Sequence, residues 1–162
     1  MERRTALSSA AIGFTAALLG CTALTPAAAA TALQTDTATL NAALQAMSGE
    51  LKAANITVPP ALTAVLADLN TNATAIGTAI TTPPTTVQAI LGDIQTIATI
   101  ATPFFPEIAV FEPLVNAALS MGSVLLADAG ITLASAAPAV KPRYTAAEAR
   151  LILAGMAAKA KK

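Results

Sequence analysis

Chemistry in a protein begins with nucleophiles, bases and metal ligands, and this chain has few. Its 162 residues hold one cysteine, Cys21, and no histidine or tryptophan. Without histidine there is no Ser-His-Asp set, no thiol–histidine pair and no Cys/His metal cluster. The eight glycines are scattered, and none forms G-x-x-x-x-G-K or G-x-G-x-x-G, so no phosphate-cradling loop is expected. Two aspartates hold matching places in two related segments, Asp68 in "PPALTAVLADLN" (59–70) and Asp93 in "PPTTVQAILGDIQ" (83–95). Paired carboxylates can serve as acid and base or share a cation. Here they read as two solvated helix positions, in segments that are either a short duplication or convergent alanine-rich composition. The chain reads as a non-enzyme with no catalytic residue, no metal site and no cofactor.

Cys21 calls for a separate account, because an odd cysteine in an exported protein has no disulfide partner. The chain opens Met1-Glu2-Arg3-Arg4, runs apolar from Ala6 to Leu19, and carries no charge until Asp36. A positive head, a short apolar stretch and small residues beyond it are the parts of a secretory signal. At the end of the apolar run, Leu18-Leu19-Gly20-Cys21 resembles the lipobox of bacterial lipoproteins. The resemblance implies a diacylated Cys21 thiol, a cut just before it, and an acylated new amino terminus. Residues 1–20 would then be a signal peptide, and the membrane would be the first partner. Within the resemblance, a non-acidic residue such as Thr22 after the cysteine implies outer-membrane sorting on the periplasmic side. Leu19 is bulkier than the family usually has there, and the match covers only the first twenty-one residues. A rival cut after Ala30, at Ala28-Ala29-Ala30, would release a soluble periplasmic or secreted protein. An uncleaved anchor would use the uncharged stretch from Thr5 to Thr35, which Pro26 interrupts. Arg3-Arg4 is a weak twin-arginine signal.

Composition and punctuation define what must be positioned beyond this address. The chain is 55% hydrophobic but only 3% aromatic and 11% charged, with a mean hydropathy of +0.66. Much of the apolar content is alanine, which favours helices with small interfacial residues over a β-sandwich. Leu33, Thr37, Leu40, Leu44, Met47 and Leu51 form an a/d-like stripe, predicting a helix over about 32–54. Leu62, Leu66, Leu69, Ala73, Ile76 and Ile80 form a second, and Val87, Ile90, Leu91, Ile94, Ile97 and Ala101 a third. Thr82 and Pro83 are the expected cap and first residue of that third helix. Ile108, Phe111, Val115, Ala118, Gly122, Leu125 and Ala129 form a fourth, with Gly130 as its stop. The fifteen residues from Pro113 to Ala127 are too few to span a bilayer, which takes about twenty.

The C-terminal segment inverts the charge. Residues 31–140 hold one base, Lys52, against seven acids, whereas 141–162 hold six bases and one acid, Glu148. Thr145 and Glu148 predict a capping box, and Leu151, Ile152 and Met156 a short apolar patch. Lys159, Lys161 and Lys162 suit a helix C-terminus. The tail either docks on its own acidic bundle, stays in solvent, or meets an anionic envelope polymer, protein or membrane. A lipidated cysteine with a terminal lysine also resembles the Braun-type outer-membrane lipoproteins, whose last lysine is joined to peptidoglycan. Prolines and several short helices depart from that family's single coiled coil. Phe104, Phe105 and Phe111 are either a plug at one end of the core or an exposed wedge for a partner. One tyrosine in the tail and an exported address argue against nucleic acid.

The sequence thus predicts an all-α fold: a small up-down bundle of about four short helices plus a C-terminal basic helix, preceded by a signal peptide. The expected boundaries are 1–20 signal, 21–31 linker, 32–130 bundle, 131–144 linker and 145–162 basic helix. The expected role is a non-catalytic structural or interaction module of the cell envelope, with a mobile-element envelope lipoprotein as a variant of the same reading.

Overall fold

The computed structural model describes residues 25–79, 84–131 and 142–160. Among the described residues every regular element is helical: α1 (Pro26–Ala53), α2 (Pro60–Thr78), α3 (Pro84–Ala101), α4 (Phe111–Asp128) and α5 (Ala146–Lys159), with one 3₁₀ turn at Thr102–Phe104. The fold is an all-α helical bundle. The expected stripes face its core. All six residues of the first are buried, as are Leu62, Leu66, Leu69, Ala73 and Ile76 of the second. In the third, Val87, Ile90, Ile94, Ile97 and Ala101 are buried, while Leu91 is half-buried. Ile80, Thr82 and Pro83 lie outside the described residues.

Helix ends follow local chemistry. α1 begins six residues before the expected start, because Thr25 caps it and Pro26 fills its first position. The Thr25 hydroxyl accepts the Ala28 N–H at 3.3 Å, satisfying a donor that the first turn leaves without an intrahelical partner. α1 stops at Asn55, whose φ is 57°. The Asn55 and Ile56 N–H groups donate back to the Lys52 and Leu51 carbonyls at 3.0 and 2.8 Å. This is the double hydrogen bond of a Schellman motif, with Asn in the left-handed position usually held by Gly. α4 ends the same way at Gly130, φ 69°, with Ile131 donating to Leu126 at 2.9 Å. Threonine, a poor helix former, is accommodated by turning its hydroxyl inward. Thr31, Thr39, Thr71, Thr74, Thr96 and Thr99 each donate to the carbonyl four residues back, at 2.8–3.0 Å.

The helices close a ring. α1 packs on α2, α2 on α3, α3 on α4 and α4 on α1, and α5 packs on α1 and α4. α1 and α2 are antiparallel, since Gln34 donates to the Ile76 carbonyl at 3.4 Å, Asn41 to Asn70 Oδ1 at 2.9 Å and Gln45 to the Leu66 carbonyl at 2.7 Å. α3 and α4 approach closely at Gly122, where an added Cβ would lie 2.8 Å from Leu91 Cδ2. The expected bundle core therefore stands, with the tail helix as part of it.

Two outcomes test this packing. Leu69 is fully buried, so Leu69→Asp loses an aliphatic contact and buries a carboxylate, and should cost at least about 4 kcal/mol in urea unfolding. Gly122→Ala should be nearly neutral, because half-buried Leu91 can turn aside and alanine regains about 1 kcal/mol of helix propensity. Gly122→Leu cannot be relieved that way and should cost about 1–3 kcal/mol in the same titration.

Candidate functional site

The densest chemistry among the described residues lies where α5 crosses α1 and α4. α5 starts with the expected capping box. The Thr145 hydroxyl accepts the Glu148 N–H at 3.3 Å, and the Glu148 carboxylate accepts the Thr145 N–H at 2.8 Å. The Thr145 N–H and the Thr145 hydroxyl, which donates to the same carboxylate at 2.8 Å, hold the Glu148 carboxyl below its ordinary value, the backbone bond contributing most. The helix then buries Ala149, Leu153 and Met156, spaced four and three apart, so one narrow stripe meets the seam. The expected patch of Leu151, Ile152 and Met156 is therefore rotated. Leu151 points outward at 75% exposure, and only Met156 of the three is fully inside.

Charge is built into this seam. Asp36 of α1 is only 7% exposed. Arg150 of α5 grips it with Nε at 3.0 and 3.1 Å from the two carboxylate oxygens and Nη2 at 2.6 Å. Such a two-nitrogen fork satisfies a carboxylate that apolar surroundings would otherwise penalise. The hydrogen bonds to Asp36 raise the Arg150 pKa above its ordinary value, burial opposing them. Asp128, the last residue of α4, completes the cluster. Burial lifts its pKa above the ordinary carboxylate value, the charge of Asp36 lifts it further, and Arg150 pulls it down. Its Oδ2 is shielded from solvent with no hydrogen-bond partner. A hollow of about 210 Å³ beside the pair is lined by Thr35, Thr39, Met121, Leu153 and Ala154. Further along the seam, the Tyr144 N–H donates to Ser120 Oγ at 3.2 Å, and Arg143 pairs with Glu112 at 2.9 Å on the surface.

The other expected residues fall as follows. Leu18, Leu19, Gly20, Cys21, Lys161 and Lys162 lie outside the described residues. Lys159 is exposed above a shallow hollow of about 440 Å³ shared with Gln45, Gly49 and Glu50 of α1. Phe111 is fully buried, because it opens α4 on the inward face, so it cannot belong to an exposed wedge. Phe104 and Phe105 are half-buried and pack against the core, with Phe105 on the rim of an α3/α4 groove of about 400 Å³. Asp68 is exposed, but Asp93 is half-buried and accepts Asn72 Nδ2 at 3.0 Å. Burial raises the Asp93 pKa, the Asn72 bond offsets this in part, and the charge of Asp68 adds to the rise.

Asp36 and Arg150 were not legible as a site, being 114 residues apart in the chain. One signal was available. Asp36 falls inside the stripe of α1, between Leu33 and Leu40, where a lone acid needs a partner. No described helix is long and apolar enough to cross a membrane, and no group of three or more His, Cys, Asp or Glu among the described residues could hold a metal ion. No family model, curated protein or solved structure matches this chain.

The pair should show strong coupling. Arg150→Leu strands a nearly buried carboxylate and should cost about 2–3 kcal/mol, discounted for the exposed half of the guanidinium. Adding Asp36→Leu should restore most of that loss, read as a double-mutant cycle in urea unfolding.

Proposed function

We propose that this chain is an exported, lipid-anchored and non-catalytic helical module of the cell envelope. The observation that carries the reading is the junction between the lipobox-like Leu18-Leu19-Gly20-Cys21 and the start of the bundle. Thr25 caps α1 four residues after Cys21. A cut before Cys21 leaves the cap and the whole helix in place, with the bundle held a few residues from the lipid. A cut after Ala30 removes Thr25 and the first five residues of α1. None of those five is buried, so the shortened chain keeps its core but loses a capped helix start, worth about 1 kcal/mol. The lipid cut respects the fold more fully.

Interaction rather than catalysis suits the residues available, since the chain has no histidine and its one cysteine is spent on the anchor. The basic segment is partly consumed inside the protein. Arg143 and Arg150 pair with Glu112 and Asp36, which leaves the Lys159 end of α5 as the part directed to an anionic polymer, membrane or protein. Outer-membrane sorting, implied by Thr22, would put this end on the periplasmic side.

Intact mass of the protein from a bacterial expression host, beside a Cys21→Ser version, tests the anchor. The expected mass begins at Cys21 and carries acyl chains, and the substitution abolishes it. An unmodified mass beginning at Thr31 would replace the anchored module with a soluble exported bundle.

A further inference from the structure

We propose that the end of the bundle farthest from Cys21 is a binding surface for an anionic polymer lying off the anchoring membrane, and that its lysines do not serve that membrane. This deepens the anchored reading above and rests on it. α1 measures the separation. Thr25, four residues after Cys21, caps the start of α1, and Lys52 lies in its last turn. At about 1.5 Å per residue, the two are about 40 Å apart. α5 runs in the same direction as α1, since Arg150 meets Asp36 while Lys159 and Ala160 share a hollow with Gln45, Ala46, Gly49 and Glu50. Lys159 therefore stands at the same end as Lys52, and Lys161 and Lys162 follow it in the sequence.

Charge is sorted along this axis. The two described arginines are taken, Arg143 by Glu112 and Arg150 by Asp36. Lys52 and Lys159 are exposed and pair with no described acid. α3 returns to the far end, where Glu107 follows it, so Glu50 and Glu107 share that end with the lysines and leave it a positive excess. Asp68 and Asp93, halfway along α2 and α3, have no base on either helix to answer them. An anionic bilayer attracts bases and repels acids. A bundle lying on α2 and α3 would press Asp68 and Asp93 against it. A bundle lying on α5 would offer one large exposed apolar side chain, Leu151, beside Glu148, too little to insert. Upright, the protein carries its free lysines beyond the reach of the membrane's charge, which salt screens over about 8 Å. A polymer with repeated carboxylates or phosphates can meet several of these lysines at once.

Cys21 is the only thiol, so the chain from Cys21 onward can be coupled through it to a maleimide lipid, whether or not a cell acylates it. Phosphatidylcholine vesicles bearing this protein should capture fluorescent poly-L-glutamate. Lys52→Gln, Lys159→Gln, Lys161→Gln and Lys162→Gln together should weaken capture at least about tenfold, with the midpoint of urea unfolding unchanged. Adding phosphatidylglycerol to the same vesicles should leave capture by the unsubstituted protein within about twofold, because its charge does not extend to the far end. No capture, or capture indifferent to the four substitutions, would overturn the surface. Capture abolished by phosphatidylglycerol would show the lysines resting on their own membrane, and the proposal would fall in favour of that contact. Because chemical coupling stands in for acylation, these outcomes are distinct from an unacylated intact mass, which would count against the anchored reading itself.

Discussion

A carboxylate placed among aliphatic side chains sets the terms for this fold. Asp36 occupies a position in the α1 stripe that a leucine could fill, and it is tolerable there because Arg150 meets both of its oxygens. Compared with a well-packed apolar alternative, such a pair adds little or nothing to stability, because desolvation offsets the attraction. What it fixes is register. An aliphatic stripe of three small or flexible residues, Ala149, Leu153 and Met156, can slide along a seam at little cost. A forked guanidinium on one buried carboxylate cannot. Together with the apolar packing of Ala149, Leu153 and Met156, that contact sets where α5 lies over α1 and α4.

The seam also explains why α1, like α4, buries more residues than α2 or α3. It meets α2, α4 and α5, so Leu33, Asp36, Thr37, Leu40, Ala43, Leu44, Met47 and Leu51 are all inside. α2 and α3 meet two neighbours each and manage with single stripes. The small residues allow this economy. Gly122 brings α4 close to Leu91, and alanines at 43, 101, 117 and 118 take little room in the core. Packing by close approach substitutes for the large side chains that the chain lacks.

What the sequence made legible was local. Four stripes, the stop at Gly130 and the Thr145–Glu148 box are each decided within a few residues. The box and the stop sit where their patterns indicate, and the stripes do so except for Ile80, outside the described residues, and Ile108, which precedes α4. The start of α1 was read as linker because Pro26 and the alanines after it also look like a processed leader. Asn55 marked a break, but its left-handed turn depends on two backbone bonds that no composition displays. The rotation of α5 was hidden for a different reason. Its weak apolar pattern permits several faces, and the partner chooses among them: Arg150 must face Asp36, which throws Leu151 outward. The charge cluster was invisible for the same cause, being assembled from three helices.

The surface of α2 and α3 has a consequence of its own. Between Lys52 and Lys141 the chain has no lysine or arginine, and the exposed positions of these helices are mostly alanine and threonine, with few long side chains. Many of those threonines are pinned by their bond to the carbonyl one turn back. Long charged side chains surrender up to about 2 kcal/mol of rotamer freedom when they are covered, whereas alanine surrenders none. Much of this flank therefore has little side-chain freedom left to lose against a neighbour. Covering its alanines against another surface would cost little side-chain entropy.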